Sequence, residues 1–258
     1  MYIDIHTHLE GPGAQPAEEE MVRMRGLAQR HGIGRVVALG NLIAVGGANP
    51  TPDEITTVNS NSLGAMARHP DFFLGFCYLN PSHREEFILG ELERCVVKGG
   101  MRGIKLWVAV KATDRCHDPL LRRAQELGLP LLYHAWYKQT EQGASESTPA
   151  EVADLARRFP QVTIVMAHLT GDGERGVLDI ADCPNVLIDT SGGQPEAGLV
   201  EYAVRKLGAN RVIYGSDWPI RDFGVQVGRV RSAKLSEAQR ELILHGNAER
   251  VLGLQEQA

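Results

Sequence analysis

Eight runs of mostly apolar residues recur along the chain, separated by segments that carry helix signals. Each run is apolar nearly throughout, which is typical of parallel strands covered on both faces. The first intervening segment places Met21, Met24 and Ala28 on one helical face, behind an acidic first turn. The predicted strands span residues 1–8, 35–41, 72–80, 103–108, 129–135, 162–169, 185–191 and 211–217.

Local signals mark where several helices begin. Residues 51–54 and 148–151 both place Thr at the N-cap, Pro at the first helical position and Glu three residues after the cap. Ser236, in the sequence Ser236-Glu237-Ala238-Gln239, caps a closing helix. Because strands alternate with helices, the sequence predicts an α/β protein, and eight such units favour a distorted (β/α)8 TIM barrel over an open doubly wound sheet. No shift in composition divides the chain, so we expect one domain over residues 1–258.

Composition narrows the functional classes. The 258 residues are 43% hydrophobic and 23% charged, as in a globular protein, and the net charge of −5 makes nucleic acid an unexpected partner. No stretch approaches about 20 consecutive apolar residues, so a membrane span is not expected. The first metal-type motif begins at residue 6, which leaves no room for a signal peptide, and the cysteines form no CxxC pairs. We therefore expect a cytoplasmic protein with free thiols.

The first predicted strand ends in His6-Thr7-His8. Because side chains alternate along a strand, the two histidines point to the same side, and neutral imidazole is a common ligand of divalent metals. This spacing is a weak signal by itself. Four later strands, however, carry metal-competent or acid–base groups at or near their ends, namely Lys105, His134, His168 and Asp217. The C-terminal ends of barrel strands meet at one mouth, so we expect these groups to share one site.

These motifs resemble the amidohydrolase superfamily, and in particular its amidohydrolase-related branch. The resemblance runs from residue 2 to residue 254 and is carried by His6-Thr7-His8, Tyr133-His134, Ala167-His168-Leu169, Asp189-Thr190-Ser191-Gly192, Gly215-Ser216-Asp217 and residues 246–254. That branch includes metal-dependent decarboxylases of aromatic or unsaturated acids, lactonases and hydratases. The resemblance implies a distorted TIM barrel that holds a divalent metal, usually zinc. It implies metal ligands matching His6, His8, His134 and Asp217, with His168 near the metal-bound water.

The chemistry of these residue types suits an activated water. Zinc lowers the pKa of bound water to about 7, Asp217 can accept and deliver a proton, and His168 can bond the water or a developing oxyanion. We therefore expect Asp217 and His168 to be catalytic in a zinc-dependent hydrolase that cleaves a C–O or C–N bond of a lactone, ester or amide. The alternative enzyme is a non-oxidative decarboxylase of an aromatic or unsaturated acid. The alternative outside enzymes is a non-catalytic metal-binding barrel.

Lys105 leaves the number of metal ions open. In the two-metal members of the superfamily a carboxylated lysine on strand four bridges the ions, and His168 is then a further candidate ligand. In the decarboxylase-like branch one ion suffices. A third interpretation is an ammonium group that binds a substrate carboxylate. We expect one ion, because the ligand pattern of this branch accounts for the other residues without a bridge.

Polar and aromatic side chains follow the strand ends. We predict that Asn41, Trp107, Trp136 and Arg221 bind a small-molecule substrate, the tryptophans forming a pocket for a flat molecule and Arg221 holding an acid group. Packing at the barrel mouth is the alternative role of the tryptophans. The polar segment 138–147 is either a mobile lid or a surface loop. The number of subunits stays open, a homodimer included.

Overall fold

The computed structural model of the protein describes residues 1–10, 16–40, 47–138, 140–193 and 196–254. In these ranges each strand pairs in parallel with its neighbours, and the strand order follows the chain in two sheets, one of three strands and one of six. The strands are β1 (Tyr2–Thr7), β2 (Ile33–Ala38), β3 (Phe73–Gly75), β4 (Cys77–Tyr78), β5 (Ile104–Leu106), β6 (Leu131–His134), β7 (Ile164–Ala167), β8 (Val186–Asp189) and β9 (Val212–Ile213).

Helices follow most of the strands and cover the outside of the barrel. They are α1 (Glu18–Arg30), α2 (Pro52–Arg68), α3 (Glu85–Leu92), α4 (Asp118–Leu127), α5 (Pro149–Arg158), α6 (Leu169–Asp179), α7 (Leu199–Leu207), α8 (Phe223–Ser232), α9 (Glu237–Glu241) and α10 (Asn247–Leu252). The side chains of Thr51, Thr148 and Ser236 accept the backbone N–H three residues on, which confirms the three predicted capping boxes. No helix within the described ranges has the length and apolar character needed to cross a membrane.

The two sheets form one barrel. Between β3 and β4 the chain crosses from one sheet to the other at Phe76, whose N–H donates to Ala38 O. On the far side, β1 lies beside the chain that follows β9, because Ile5 N–H donates to Tyr214 O and Asp217 N–H donates to the carbonyl of His6. The predicted distorted α/β TIM barrel is therefore confirmed, and the break between the sheets is its distortion.

Alternate residues of the strands point into and out of the barrel. On β7, Val165 belongs to the interior cluster of apolar side chains, whereas Ile164 and Met166 pack in the layer between strands and helices. Helix α10 adds Ala248 and Leu252 to the interior cluster. Both faces of the strands are thus buried in apolar surroundings, which is the reason the sequence shows continuous apolar runs.

Some predicted element boundaries are wrong. The predicted third strand, 72–80, is split into β3 and β4 because it serves both sheets. The predicted eighth strand, 211–217, keeps only Val212–Ile213 in the ladder, and the residues that follow bond to β1 instead. The predicted closing helix is two short helices joined by a π-helical turn, Leu242–Gly246.

Residues 171–176, Gly-Asp-Gly-Glu-Arg-Gly, have the GxGxxG spacing of a dinucleotide-binding turn. In the structure the first and the last of these glycines serve packing. A Cβ at Gly171 would lie 2.7 Å from the ring of Trp136, and one at Gly176 would lie 2.4 Å from the Cβ of Asp172. Since the fold is a barrel, this spacing is no sign of an open Rossmann sheet.

Candidate metal centre and active site

A cavity of about 310 Å³ lies at the C-terminal ends of the strands. Its size is at the lower end of small-molecule sites. It is lined by His6, His8, Lys105, Trp107, His134, Trp136, Lys138, His168, Asp217, Ile220 and Arg221. Every predicted site residue in the described part of the chain is therefore brought to this cavity, whereas Asn41 lies outside the described residues. A larger groove of about 930 Å³ between α7 and α8 contains none of the predicted site residues.

Two histidines and one carboxylate converge at the barrel mouth. Asp217 Oδ1 lies 3.4 Å from His6 Nε2 and 3.3 Å from His8 Nε2, and all three side chains are buried. Asp217 adopts the left-handed backbone region, with φ of 65°, which is uncommon for a residue other than glycine and concentrates at functional sites. Its N–H bonds the carbonyl of His6 at 2.8 Å and so holds the carboxylate against β1.

Asp189, at the end of β8, orients two histidines at once. Its Oδ2 accepts from His6 Nδ1 at 2.8 Å, and its Oδ1 accepts the Ser191 hydroxyl at 2.5 Å. Ser191 Oγ lies 2.8 Å from His168 Nδ1, and since its one hydrogen goes to Asp189, it must accept from that nitrogen. Both neutral imidazoles then keep an unprotonated Nε2 that faces the cavity. Carboxylate partners of this kind commonly orient metal-binding histidines.

The electrostatics around Asp189 agree with this arrangement. Burial raises the pKa of the Asp189 carboxyl, but its interaction with His6 outweighs that effect and brings the pKa below its usual value. Burial lowers the pKa of His6 and lowers the pKa of His168 further. The carboxylate is therefore ionised and the imidazoles are neutral near pH 7, as metal binding requires.

His134 and His168 face each other across the site. His168 Nε2 lies 3.0 Å from His134 Nδ1, and His134 Nε2 lies 2.8 Å from Glu146 Oε1. Glu146 accepts the hydrogen on His134 Nε2, and Ser191, which is bonded to Asp189, accepts the hydrogen on His168 Nδ1. When both rings are neutral, the two facing nitrogens, His134 Nδ1 and His168 Nε2, therefore carry lone pairs. Burial lowers the pKa of both imidazoles, which disfavours an extra proton between them. A divalent cation is a fitting partner for such a pair.

Two groups of side chains, which share His6, lie close enough together to hold a metal ion. Among the described residues, the groups whose ligand atoms lie within 4.8 Å of one another are His6–His8–Asp217 and His6–His168–Asp189. His134 belongs to neither group and reaches the site through His168. Its role as a ligand stays a prediction.

Lys105, on β5, points into the same cavity. Its Nζ lies 3.3 Å from His6 Nε2, and the side chain is only 1% exposed. Burial lowers the pKa of this amine to about 8, against the opposing effect of the Asp217 and Asp189 charges. The lysine thus stands beside a predicted metal ligand, and the number of ions stays a prediction.

An aromatic wall and an arginine complete the cavity. The Trp136 ring centroid lies 5.0 Å from that of His168, and Gly171 leaves room for the indole. Arg221 lies over Gly193, where a Cβ would come within 2.4 Å of its Nη2. Arg221 also lines the cavity, and its Nη1 donates to Ile220 O at 2.9 Å.

Sequence reasoning missed the orienting residues Asp189, Ser191 and Glu146. Asp189 and Ser191 stand in the motif 189–192, which contributed to the resemblance but was assigned no role. Glu146 lies in the polar segment 138–147, where an acidic residue is usually solvated. In the structure it is only 8% exposed. The sequence feature that could have pointed to Glu146 is its position in the loop that follows His134.

Comparison with known proteins identifies the family. Residues 3–254 match the family model described as amidohydrolase. The chain belongs to the amidohydrolase family. It is similar to the gamma-resorcylate decarboxylase of Polaromonas sp. strain JS666, with 24% identity over 289 residues that cover 88% of this chain and 86% of the relative.

Solved structures of decarboxylases share the fold. The structure of 2,6-dihydroxybenzoate decarboxylase complexed with 2,6-dihydroxybenzoate has a TM-score of 0.77 and 20% identity, and 98% of each chain is covered. The 5-carboxyvanillate decarboxylase of Novosphingobium aromaticivorans, complexed with manganese and 4-hydroxy-3-methoxy-5-nitrobenzoic acid, has a TM-score of 0.75 and 17% identity, with 98% of this chain and 96% of that chain covered.

These comparisons contradict the expected hydrolase. The relatives are decarboxylases, which fits the alternative enzyme and not cleavage of a lactone, ester or amide. The residues could not separate the two reactions, because both use the same imidazole and carboxylate ligands. The expectation of zinc is likewise unsupported in its detail, since the metal in the solved relative is manganese.

We expect Asp189→Asn to weaken binding of Mn²⁺ by about 10- to 100-fold, the usual cost of losing an orienting carboxylate. The amide cannot hold both His6 Nδ1–H and the Ser191 hydroxyl as a carboxylate does. Calorimetric titration of the metal-free protein with Mn²⁺ measures the change. Asp182→Asn, an exposed substitution of the same kind, is the control, and equal affinity in the two variants would contradict the orienting role.

Proposed function

We propose that this protein is a metal-dependent non-oxidative decarboxylase of a small aromatic carboxylic acid. The observation that carries the proposal is the cavity, in which His6, His8 and Asp217 converge beside the indole of Trp136. Its volume of about 310 Å³ suits a single-ring molecule. The decarboxylases to which the chain is similar support the same class of reaction.

The donor set fits a divalent ion. Imidazole nitrogen and carboxylate oxygen suit manganese and zinc alike, and we propose one ion held by His6, His8 and Asp217, with His134 as the fourth ligand. The facing lone pairs of His134 and His168 lie next to these ligands and favour a cation in the same place. When bound, the ion supplies positive charge for the anionic oxygens of the substrate.

Asp217 is the group we assign to proton delivery. Decarboxylation breaks the bond between the ring carbon and the carboxyl carbon, releases CO₂ and consumes one proton at the ring carbon. Burial raises the pKa of Asp217, but the hydrogen bond from His8 and the nearby His6 outweigh it and hold the pKa below its usual range. Asp217 therefore rests as a carboxylate, so it first takes up a proton from solvent and then transfers that proton to the ring carbon as the bond to the carboxyl carbon breaks and CO₂ leaves.

The other cavity residues bind and orient the ring. Trp107 and Trp136 offer apolar surface, which suits a flat molecule, and the buried walls exclude water. Arg221 lines the cavity, where its guanidinium can bind an acid or hydroxyl group of the substrate. His168 is held neutral by burial that lowers its pKa, so its Nε2 offers a lone pair to a hydrogen-bond donor or a cation and does not carry the proton.

A substrate panel tests the proposal. The Mn²⁺-loaded protein is incubated with hydroxylated benzoic acids, 5-carboxyvanillate, lactones and amides, and released CO₂ and hydrolysis products are measured. We expect CO₂ from at least one aromatic acid and no hydrolysis. Hydrolysis without CO₂ release would overturn the proposal. Stoichiometric metal binding with no turnover in the whole panel would favour the non-catalytic barrel.

We expect Arg221→Met to raise the KM for the aromatic acid roughly 10- to 100-fold, because a hydrogen bond to a charged group contributes about 1.5–3 kcal/mol. The kcat should change less, since the guanidinium binds the substrate away from the bond that breaks. Steady-state kinetics separate the two constants. Arg231→Met, an exposed arginine on α8, is the control, and an unchanged KM in Arg221→Met would show that Arg221 does not hold the acid.

A further inference from the structure

The polar segment 138–147 is fastened to the barrel at several points. In its described part, Trp136 N–H donates to Ser147 O at 3.1 Å, and Gln142 Nε2 donates to Trp136 O at 2.9 Å. Glu146 N–H donates to Gly143 O at 3.1 Å, which closes a tight turn. The segment is thus a packed connection between β6 and α5, and its turn carries the Glu146 side chain toward the cavity.

Glu146 is turned inward whereas the other acidic residue of the segment is not. Its carboxylate is 8% exposed, while Glu141 lies on the surface. Glu146 Oε1 accepts from His134 Nε2 at 2.8 Å and lies 3.2 Å from Lys138 Nζ. The lysine balances the charge of the buried carboxylate, which would otherwise be costly in this setting.

The other nitrogen of His134 points the opposite way. Its Nδ1 lies 3.0 Å from His168 Nε2, and the His168 ring centroid lies 5.1 Å from that of His6. A carboxylate accepts hydrogen bonds and donates none, so Glu146 places the imidazole hydrogen on Nε2. The lone pair of Nδ1 is then directed at the site.

We propose that Glu146 is the positioning residue of His134: it selects the ring form with the hydrogen on Nε2 and so directs Nδ1 to the metal. This inference rests on the metal site of the proposed function and is independent of the substrate. The competing possibility is that Glu146 only fastens the loop, through Lys138. In that case its loss would alter stability but neither the metal affinity nor the position of the ring hydrogen.

The substitution Glu146→Gln separates these roles. Glutamine keeps the shape of the side chain, but its amide nitrogen can donate to His134 Nε2. The ring hydrogen is then no longer confined to Nε2, because the amide can present either its nitrogen or its oxygen to this atom, and a hydrogen on Nδ1 blocks the nitrogen that faces the metal. We expect the affinity for Mn²⁺ to fall about 10- to 100-fold, as for other orienting partners of metal ligands. Glu146→Asp keeps a carboxylate and should recover part of the affinity.

Two measurements on the full chain test the inference. Competition with a chromogenic chelator measures the affinity of wild type, Glu146→Gln, Glu146→Asp and the control Glu141→Gln for Mn²⁺. Nitrogen-15 NMR of the zinc-loaded protein, labelled at histidine, reports which nitrogen of His134 carries the hydrogen. The expected result is a hydrogen on Nε2 in wild type and in Glu141→Gln, with wild-type affinity in that control.

Several results would overturn the inference. Equal affinity in Glu146→Gln and Glu141→Gln, with normal metal binding by wild type, would refute the role of Glu146 and leave the proposed function intact. A hydrogen on Nδ1 of His134 in wild type would refute it in the same way. Failure of wild type to bind metal would instead contradict the proposed function together with this inference. Thermal unfolding of each variant identifies a loss of affinity that arises from unfolding.

Discussion

Asp217→Asn should lower kcat for decarboxylation by about 10²–10⁴-fold, the range expected when general acid catalysis is lost. This corresponds to about 2.7–5.4 kcal/mol of transition-state stabilisation. Asparagine keeps nearly the same shape and an oxygen that can face the metal, but it cannot deliver a proton to the ring carbon. His6 and His8 remain in place, so most of the bound metal should remain too.

The test is therefore a comparison of two quantities in one variant. Metal content is measured by elemental analysis, and kcat is measured on the substrate that the panel identifies. Asp182→Asn, which changes an exposed carboxylate that pairs with Arg157, should leave both at the wild-type level. Near-normal turnover of Asp217→Asn would mean that the proton comes from another group. Loss of turnover only in proportion to loss of metal would reduce Asp217 to a ligand.

The second large effect is expected for His8→Ala, which should weaken binding of Mn²⁺ by at least about 100-fold. Loss of an orienting partner alone costs about 10- to 100-fold, and loss of a direct ligand should cost more. His8 Nε2 lies 3.3 Å from Asp217 Oδ1, so its removal breaks the group formed with His6. Decarboxylase activity should fall in parallel, and excess Mn²⁺ should restore part of it.

Elemental analysis after dialysis, followed by Mn²⁺ titration, measures this effect. His245→Ala is the matched control, because His245 pairs with Glu249 and does not line the cavity. Wild-type metal content in His8→Ala would show that His8 is not a ligand, and His134 and His168 would be the next candidates to test. Substitution of His134 or His168 would then lower the affinity for Mn²⁺ more than His8→Ala does.

The fold followed from the sequence because its causes are local. Continuous apolar runs such as 162–169 predict strands buried on both faces, and the Thr51 and Thr148 capping boxes mark helix starts within four residues. The position of a residue at the end of a strand follows from these elements alone. His6, His134 and Asp217 could therefore be assigned to the same mouth of the barrel from the sequence, before any contact was known.

Other features depend on contacts between distant parts of the chain. The predicted third strand is split because Phe76 lies between the two sheets. Nothing in the local sequence indicates that the residues before and after Phe76 pair in different sheets. The double role of Asp189 requires β1 and the end of β7 to lie on its two sides. The class of reaction came from neither source, since hydrolysis and decarboxylation use the same ligands, and the proposal of a decarboxylase is supported by the relatives to which the chain is similar.

The sequence by itself thus determined the barrel and the side chains at its mouth, because periodicity, caps and strand ends are properties of short segments. Only the tertiary structure decided how those side chains are oriented. Glu146 is a polar loop residue by sequence, and it becomes a partner of His134 because the turn at Gly143 and the charge of Lys138 hold it inside. Hydrogen-bond partners set the direction of each imidazole, and those partners are brought together by the barrel.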